Sequence, residues 1–230
     1  MWRPNVEGLS RYYRIYAVDV IGQPGKSIAN RRIRNRRDYA GWFIDLLDAL
    51  GLERVSIVGN SYGGFLALNQ ASLTPERVDR VVLISPAGTF VPYIWKHLYV
   101  MLRMGLWQLT RNKRGADVFS FFFRNIQFDP RDAGWLALMA LAVTGARMRD
   151  TNGIVPTVFA KAELRGIRPP TLLLIGDKEV IYEPHATLSR ARDRMPGIEA
   201  DIVPDAHHIA AMAKPDDINA RIRQFLQRSV

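Results

Sequence analysis

The sequence lacks cysteine altogether and contains only four histidines. Without cysteine there is no disulfide framework, no thiolate metal site and no cysteine nucleophile. No cluster of histidine and acidic residues has the spacing of metal ligands, and no glycine-rich phosphate loop follows a strand, so neither a metal nor an organic cofactor is expected. The sequence also has no fixed repeat and no low-complexity tract, which excludes collagens and solenoids.

Long hydrophobic runs are absent as well. The longest strictly apolar stretch, Trp135 to Val143, is less than half as long as the roughly 20 residues that a bilayer span needs. The N-terminal residues do not show the apolar stretch behind a basic start that marks a secretory signal. We therefore expect a cytoplasmic protein with no stable membrane insertion.

Lysine is scarce, and the positive charge comes from arginine. The chain has 26 Arg and 6 Lys, a net charge of +10 and a pI of about 10.2. Five of the seven residues from Arg31 to Arg37 are arginine, a density that can indicate a phosphate-binding patch on a nucleic-acid or anionic-membrane binder. No nucleic-acid-binding module accompanies the patch, so a solvated loop before a helix is the favoured interpretation and no nucleic-acid partner is expected.

Strand and helix patterns alternate along the chain, and a hydrophobic content of 48% with 23% charged residues is typical of one globular domain. Such alternation predicts an α/β fold with a mostly parallel sheet flanked by helices. Helices are predicted over 39–50, with Asp38 as N-cap and Gly51 as C-terminal stop, and over 64–73 and 215–226. Short strands are predicted over 13–20, 54–59, 80–85, 171–175 and 200–203.

No strand pattern is found in the sequence between residue 88 and about residue 168. Aromatic-rich helical segments take its place there, and the strand over 171–175 follows. We therefore expect a core formed by residues 1–87 and 169–230, with residues 88–168 inserted as a helical cap before the penultimate strand.

A Gly-x-Ser-x-Gly pattern, Gly59-Asn60-Ser61-Tyr62-Gly63, lies between the strand over 54–59 and the helix over 64–73. A sharp turn there would expose the Ser61 hydroxyl in a strained backbone, and small residues at Gly59 and Gly63 would avoid a clash. The backbone N–H of Tyr62 would then be placed to stabilise an oxyanion. The pattern predicts a nucleophilic serine.

A serine nucleophile needs a base, and the sequence offers four histidines. His97 falls in the predicted cap and His185 at the start of a helix, where solvent-facing or packing roles are expected. His207 and His208 follow the last strand, on a loop that can reach the top of the sheet. One of this pair is the predicted base.

A carboxylate must also orient the imidazole, and two candidates follow the strand over 171–175: Asp177 and Glu179. The chain order of serine, acid and histidine is the order that hydrolases with this type of serine turn require. The residues by themselves leave the choice between the two carboxylates open.

With these elements the chain resembles the α/β-hydrolase superfamily, among its serine hydrolases of the esterase and lipase type. The segment Asp19 to Ser27 is similar to that family's Asp-x-x-Gly-x-Gly-x-Ser loop. The resemblance implies Glu179 as the acid, with Asp177 as the alternative, and His208 as the base. It implies hydrolysis of a carboxylic ester of a small or apolar substrate through an acyl-enzyme at Ser61, while thioesters, amides and carbon–carbon bonds stay open as alternatives. The alternative is a non-catalytic binding protein with the same fold, and the oligomeric state is left open.

The family's first strands and its His-Gly loop, which supplies a second oxyanion N–H, are not found in the sequence. The resemblance therefore implies an N-terminally truncated fold that begins inside the family's first helix. The strands over 13–20 and 54–59 would then either pair directly, or the natural protein would start upstream of Met1, which is the hypothesis we favour. Loss of one oxyanion donor predicts weakened activity.

Overall fold

Four parallel strands form the sheet in the part of the chain that the structure describes. A computed structural model describes residues 2–23, 25–30, 32–92 and 154–228, and elements are numbered in chain order among these residues. The strands lie in the order β1 to β4, and each pairs in parallel with the next. They are β1 Val55–Asn60, β2 Val78–Ile84, β3 Thr171–Gly176 and β4 Glu199–Val203. The predicted α/β class with a parallel sheet is confirmed.

Helices cover both faces of this sheet. Because side chains alternate along a strand, Leu83 of β2 packs on one face with Phe65, whereas Ile84 packs on the other with Ile222. Both faces of β2 and β3 are buried, which accounts for their continuous apolar sequences. The helices are α1 Arg3–Ser10, α2 Arg36–Ala49, α3 Tyr62–Leu73, α4 Lys161–Arg165, α5 Pro184–Arg194, α6 Ala210–Ala213 and α7 Pro215–Leu226.

Helix α2 begins three residues earlier than predicted. Its N-cap is Asn35, whose side chain accepts hydrogen bonds from the backbone N–H of Arg37 at 2.9 Å and Asp38 at 3.1 Å. Asp38 in turn accepts from the backbone N–H of Asn35 at 3.1 Å, which completes a capping box. The prediction of Asp38 as N-cap is therefore wrong, because Asp38 is the third residue of the helix. Gly51 has φ of +66° just beyond the helix end, as expected of a C-terminal stop.

The predicted strand over 13–20 is absent. Most of the segment is exposed, and Ile15, Tyr16 and Val18 keep 36–40% of their surface in contact with solvent. A strand requires a partner for its backbone N–H and C=O groups, and within the described residues no strand pairs with this segment. Direct pairing with β1, one of the two alternatives, is therefore not observed, and a start upstream of Met1 stays a prediction.

Most of the predicted cap lies outside the described residues. Of residues 88–168, those from 93 to 153 lie outside the described residues, so the cap and the division of the core stay predictions. At the described ends, the backbone N–H of Phe159 donates to the carbonyl of Thr89 at 3.0 Å. No helix of the described residues is long and apolar enough to cross a membrane.

Candidate active site

Ser61 occupies the sharp turn between β1 and α3. Its backbone angles are φ 51° and ψ −116°, a conformation that is strained for a residue with a side chain. The turn is tight: a Cβ atom on Gly59 would lie 2.2 Å from the carbonyl oxygen of Gly63, and one on Gly64 would lie 2.8 Å from Pro86. A Cβ on Gly63 would meet nothing within 4 Å. The expected clash at Gly59 is found, whereas the second position that requires glycine is 64 and not 63.

Three backbone hydrogen bonds hold Ser61 in this conformation. The Ser61 N–H donates to the carbonyl of Ile84 at 3.0 Å, and the Ser61 carbonyl accepts from Ala87 at 3.0 Å and Phe65 at 3.1 Å. The turn is thus tied to the end of β2 on one side and to the first turn of α3 on the other. This bonding offsets the strain and fixes where the hydroxyl points.

Ser61, His208 and Glu179 form a continuous hydrogen-bonded chain. The Ser61 Oγ lies 2.8 Å from His208 Nε2, and His208 Nδ1 lies 2.8 Å from Glu179 Oε2. His208 is 3% exposed and Glu179 is 9% exposed. With the Nδ1–H donated to the carboxylate, Nε2 is free to accept the proton of the Ser61 hydroxyl.

Glu179 is held at both of its carboxylate oxygens. Its Oε1 accepts the backbone N–H groups of Val180 at 2.8 Å and Ile181 at 2.9 Å, while Oε2 accepts from His208. Burial raises the pKa of Glu179, but His208 and the N–H of Ile181 act in the opposite direction and outweigh it, so the pKa lies below its ordinary value. The carboxylate therefore stays ionised near neutral pH.

Asp177, the alternative acid, does not contact the imidazole in this arrangement. It is exposed, and its Oδ1 accepts the backbone N–H of Ala206 at 3.1 Å, which links the loop after β3 to the loop after β4. Hydrogen bonds from the backbone of Asp205 and Ala206 lower the pKa of Asp177 despite some desolvation. Asp177 thus braces the loop that carries His208.

The other histidines are placed apart from this chain of contacts. His207 is half-buried, and among the described residues its Nδ1 has no hydrogen-bond partner. His185 is exposed at the N-terminus of α5, and His97 lies outside the described residues. Tyr62 is the first residue of α3, so its backbone N–H lies at the N-terminus of that helix. Within the described ranges, no group of three or more acidic or histidine side chains could hold a metal ion.

One arginine of the basic segment has a structural contact that the sequence did not indicate. The Arg36 guanidinium donates to Asn69 Oδ1 and to Glu163 Oε1, both at 2.7 Å, and lies 4.0 Å from the ring centroid of Phe159. These contacts join α2 to α3 and α4. Arg32 and Arg34 are exposed in the loop before α2, as predicted, whereas Arg36 and Arg37 already belong to the helix, where Arg37 is exposed.

Comparisons with known proteins indicate the family of the chain and agree with its fold. The model of the alpha/beta hydrolase family matches residues 1–221. A Bacillus subtilis (strain 168) protein named as the uncharacterized carboxylesterase nap is 37% identical over 98% of this chain and 74% of its own length. Two solved Bacillus subtilis structures are similar in fold. Carboxylesterase CesB (YbfK) has a TM-score of 0.86 at 32% identity, over 100% of this chain and 79% of that one. Naproxen esterase (carboxylesterase NP) has a TM-score of 0.87 at 34% identity, over 98% and 78%.

Proposed function

The chain belongs to the alpha/beta hydrolase family, and from that premise we propose that it is a carboxylesterase that cleaves small-molecule carboxylic esters through an acyl-enzyme. The observation that carries the proposal is the contact between Ser61 Oγ and His208 Nε2 at 2.8 Å, on a serine held in a strained turn. Nucleophile and base within hydrogen-bond reach, with the base oriented by a third group, are what acyl transfer requires.

In the proposed acylation step, Ser61 Oγ attacks the ester carbonyl carbon while His208 Nε2 takes the hydroxyl proton. The resulting tetrahedral intermediate carries a negative oxygen, which the backbone N–H of Tyr62 stabilises at the N-terminus of α3. His208 then gives the proton to the leaving alcohol oxygen, the bond between the carbonyl carbon and that oxygen breaks, and the acyl group stays on Ser61.

In the deacylation step, water takes the place of the alcohol. His208 removes a proton from the water, the hydroxide attacks the acyl-enzyme carbonyl, and the proton returns to Ser61 as the carboxylic acid leaves. Glu179 holds the imidazole in the required tautomer throughout and stabilises its charged form, a role supported by the 2.8 Å contact with Nδ1.

The substrate class is proposed from the relatives. All three are named as carboxylesterases, one of them also as a naproxen esterase, so a small organic ester is the proposed substrate. No nucleic acid or metal enters the proposed reaction. The location in the cytoplasm stays a prediction from the sequence.

The test is hydrolysis of p-nitrophenyl acetate and butyrate by the chain and by its Ser61→Ala variant. Ser189→Ala is the matched control, because Ser189 is exposed on α5 and makes none of the contacts described for the site. We expect turnover by the wild type and the control and none above background by Ser61→Ala, with all three folded by circular dichroism. A folded wild type that neither turns over esters nor reacts with a fluorophosphonate at Ser61 would favour the non-catalytic alternative.

A further inference from the structure

Two tyrosine hydroxyls form a directional hydrogen-bonded chain beside the serine turn. The hydroxyl of Tyr62 donates to that of Tyr39 at 3.0 Å, and the hydroxyl of Tyr39 donates to the carbonyl of Ile21 at 3.2 Å. Tyr39 lies on α2, Tyr62 is the residue directly after Ser61, and Ile21 belongs to a turn of the Asp19–Ser27 segment. These two hydrogen bonds therefore connect three separate elements of the fold. One of the bonds begins at Tyr62, whose N–H is the proposed oxyanion donor.

Tyr39 is buried, so breaking its hydrogen bonds would cost free energy. Tyr39 is 2% exposed and Ile21 is 6% exposed, so the hydroxyl and the carbonyl have no ready replacement partner in water. The rings of Tyr39 and Tyr62 meet edge to face at 6.2 Å and 75°, a contact that restrains both rings. Burial raises the pKa of Tyr39 and outweighs the side-chain hydrogen bonds with Tyr62 and Gln23, which act in the opposite direction, so the hydroxyl remains protonated.

The hydrogen bond between the two tyrosines restrains Ser61 through the backbone. A strained conformation persists only where the surroundings over-determine it. On the N-terminal side, Ser61 is fixed by its bond to Ile84. The peptide that joins Ser61 to Tyr62 is held at its carbonyl by the N–H groups of Ala87 and Phe65, and the anchored ring of Tyr62 adds a restraint at its other end. That peptide contains the Tyr62 N–H.

We propose that Tyr39 is a positioning residue for ester hydrolysis, which holds the Tyr62 peptide in the orientation of the oxyanion donor through the hydroxyl pair. The inference rests on the proposed function. Tyr39 itself contacts no reacting atom in this scheme. Its effect is expected on stabilisation of the transition state and not on binding of the ground-state ester.

The variants Tyr39→Phe and Tyr62→Phe and the double variant test the proposal by kinetics with p-nitrophenyl butyrate. Tyr39→Phe removes the acceptor of Tyr62 and the donor to Ile21, and we expect a roughly 10-fold lower kcat. Tyr62→Phe leaves the bond from Tyr39 to Ile21 in place, and we expect a loss of about 3-fold. The double variant is expected to match Tyr39→Phe and not to show the product of the two losses, because the hydroxyls act as one unit.

A trifluoromethyl ketone, which forms a tetrahedral adduct on the serine, separates positioning from a purely structural role. We expect its inhibition constant to rise in parallel with the fall in kcat, while KM stays within about twofold. All assays are run well below the melting temperature of each variant, and Tyr16→Phe serves as the control, since Tyr16 is 40% exposed.

Variants that melt earlier but keep the wild-type kcat and inhibition constant would overturn the inference, as would losses that multiply in the double variant. If the wild type itself shows no ester turnover, the proposed function fails first. The two failures are therefore distinguishable.

Discussion

Replacement of Glu179 by glutamine is expected to lower kcat for ester hydrolysis by about 10³- to 10⁴-fold, the loss typical of a base held in the wrong tautomer. Both carboxylate oxygens of Glu179 act only as acceptors, Oε1 for two backbone N–H groups and Oε2 for His208 Nδ1. Glutamine keeps the shape but has one oxygen and one NH₂ group. In the glutamine variant, the NH₂ group therefore takes the place of one of the two oxygens and faces an N–H donor there.

The structure indicates which position that will be. Oxygen is favoured where it accepts the N–H groups of Val180 and Ile181, at 2.8 and 2.9 Å, so the NH₂ group faces His208. His208 Nδ1 can then satisfy it only as an acceptor, which moves the ring proton to Nε2. An imidazole protonated at Nε2 cannot take the proton of Ser61, and the neutral amide does not stabilise an imidazolium.

Asp177→Asn is the matched control for this substitution, because it is also a carboxylate-to-amide change in the same loop. Its Oδ1 bond to the Ala206 N–H survives in asparagine, and we expect kcat within about threefold of the wild type. The assay is hydrolysis of p-nitrophenyl butyrate at pH 8, with melting temperatures to show that both variants fold. Retention of a tenth or more of the activity by Glu179→Gln, or an equal or larger loss in Asp177→Asn, would refute this reasoning.

Three further predictions concern stability and are checked by urea unfolding. Because the pKa of Glu179 is lowered in the folded state, its ionisation stabilises the fold above the ordinary value of 4.5, and this contribution should disappear as the pH falls through the folded pKa; Glu179→Gln should flatten that part of the profile. Gly59→Ala should destabilise the fold by about 3 kcal/mol or more because of the 2.2 Å contact, whereas Gly63→Ala should stay within about 1 kcal/mol; equal effects would contradict the geometry. Arg36→Met should cost about 1–3 kcal/mol through its half-buried hydrogen bonds, and Arg37→Met, at an exposed position, less than about 0.5.

The parallel sheet and the serine turn could be predicted because their signals are local. The alternation of residues 81 to 84 between the two helix layers follows from the strand period, and the Gly59 contact follows from the tightness of any strand-to-helix turn. The same local argument does not show whether position 63 or position 64 requires glycine. Which of them approaches Pro86 depends on the path of the chain after β2, which no local pattern encodes.

The segment over 13–20 shows the limit of composition as evidence for a strand. Its aromatic and β-branched residues favour extended backbone, yet the segment belongs to neither a helix nor a sheet. What composition cannot supply is the neighbouring strand that would accept its hydrogen bonds. The proposed role of Tyr39 could not be predicted for a related reason. Helical spacing predicts that Tyr39 is buried on α2, but not that its hydroxyl contacts that of Tyr62 on α3.

The choice between Asp177 and Glu179 illustrates how the sheet register decides chemistry. Backbone hydrogen bonds between the two chain segments continue beyond the end of β3, where the N–H of Asp177 donates to Val203 of β4 at 3.1 Å and that of Lys178 donates to Ala206 at 2.9 Å. A Cβ on Gly176 would lie 2.1 Å from the carbonyl oxygen of Ala206, so the two loops can approach this closely only because that position is glycine.

This close approach commits Asp177 to the loop after β4 and leaves the next carboxylate along the chain, Glu179, to face the imidazole. The longer glutamate side chain spans the distance from its backbone to His208 while its second oxygen remains bound to the N–H groups of its own loop. Both side chains thus contribute to one geometry. Asp177 holds the base loop against the acid loop, and Glu179 orients the base that this contact has brought within reach.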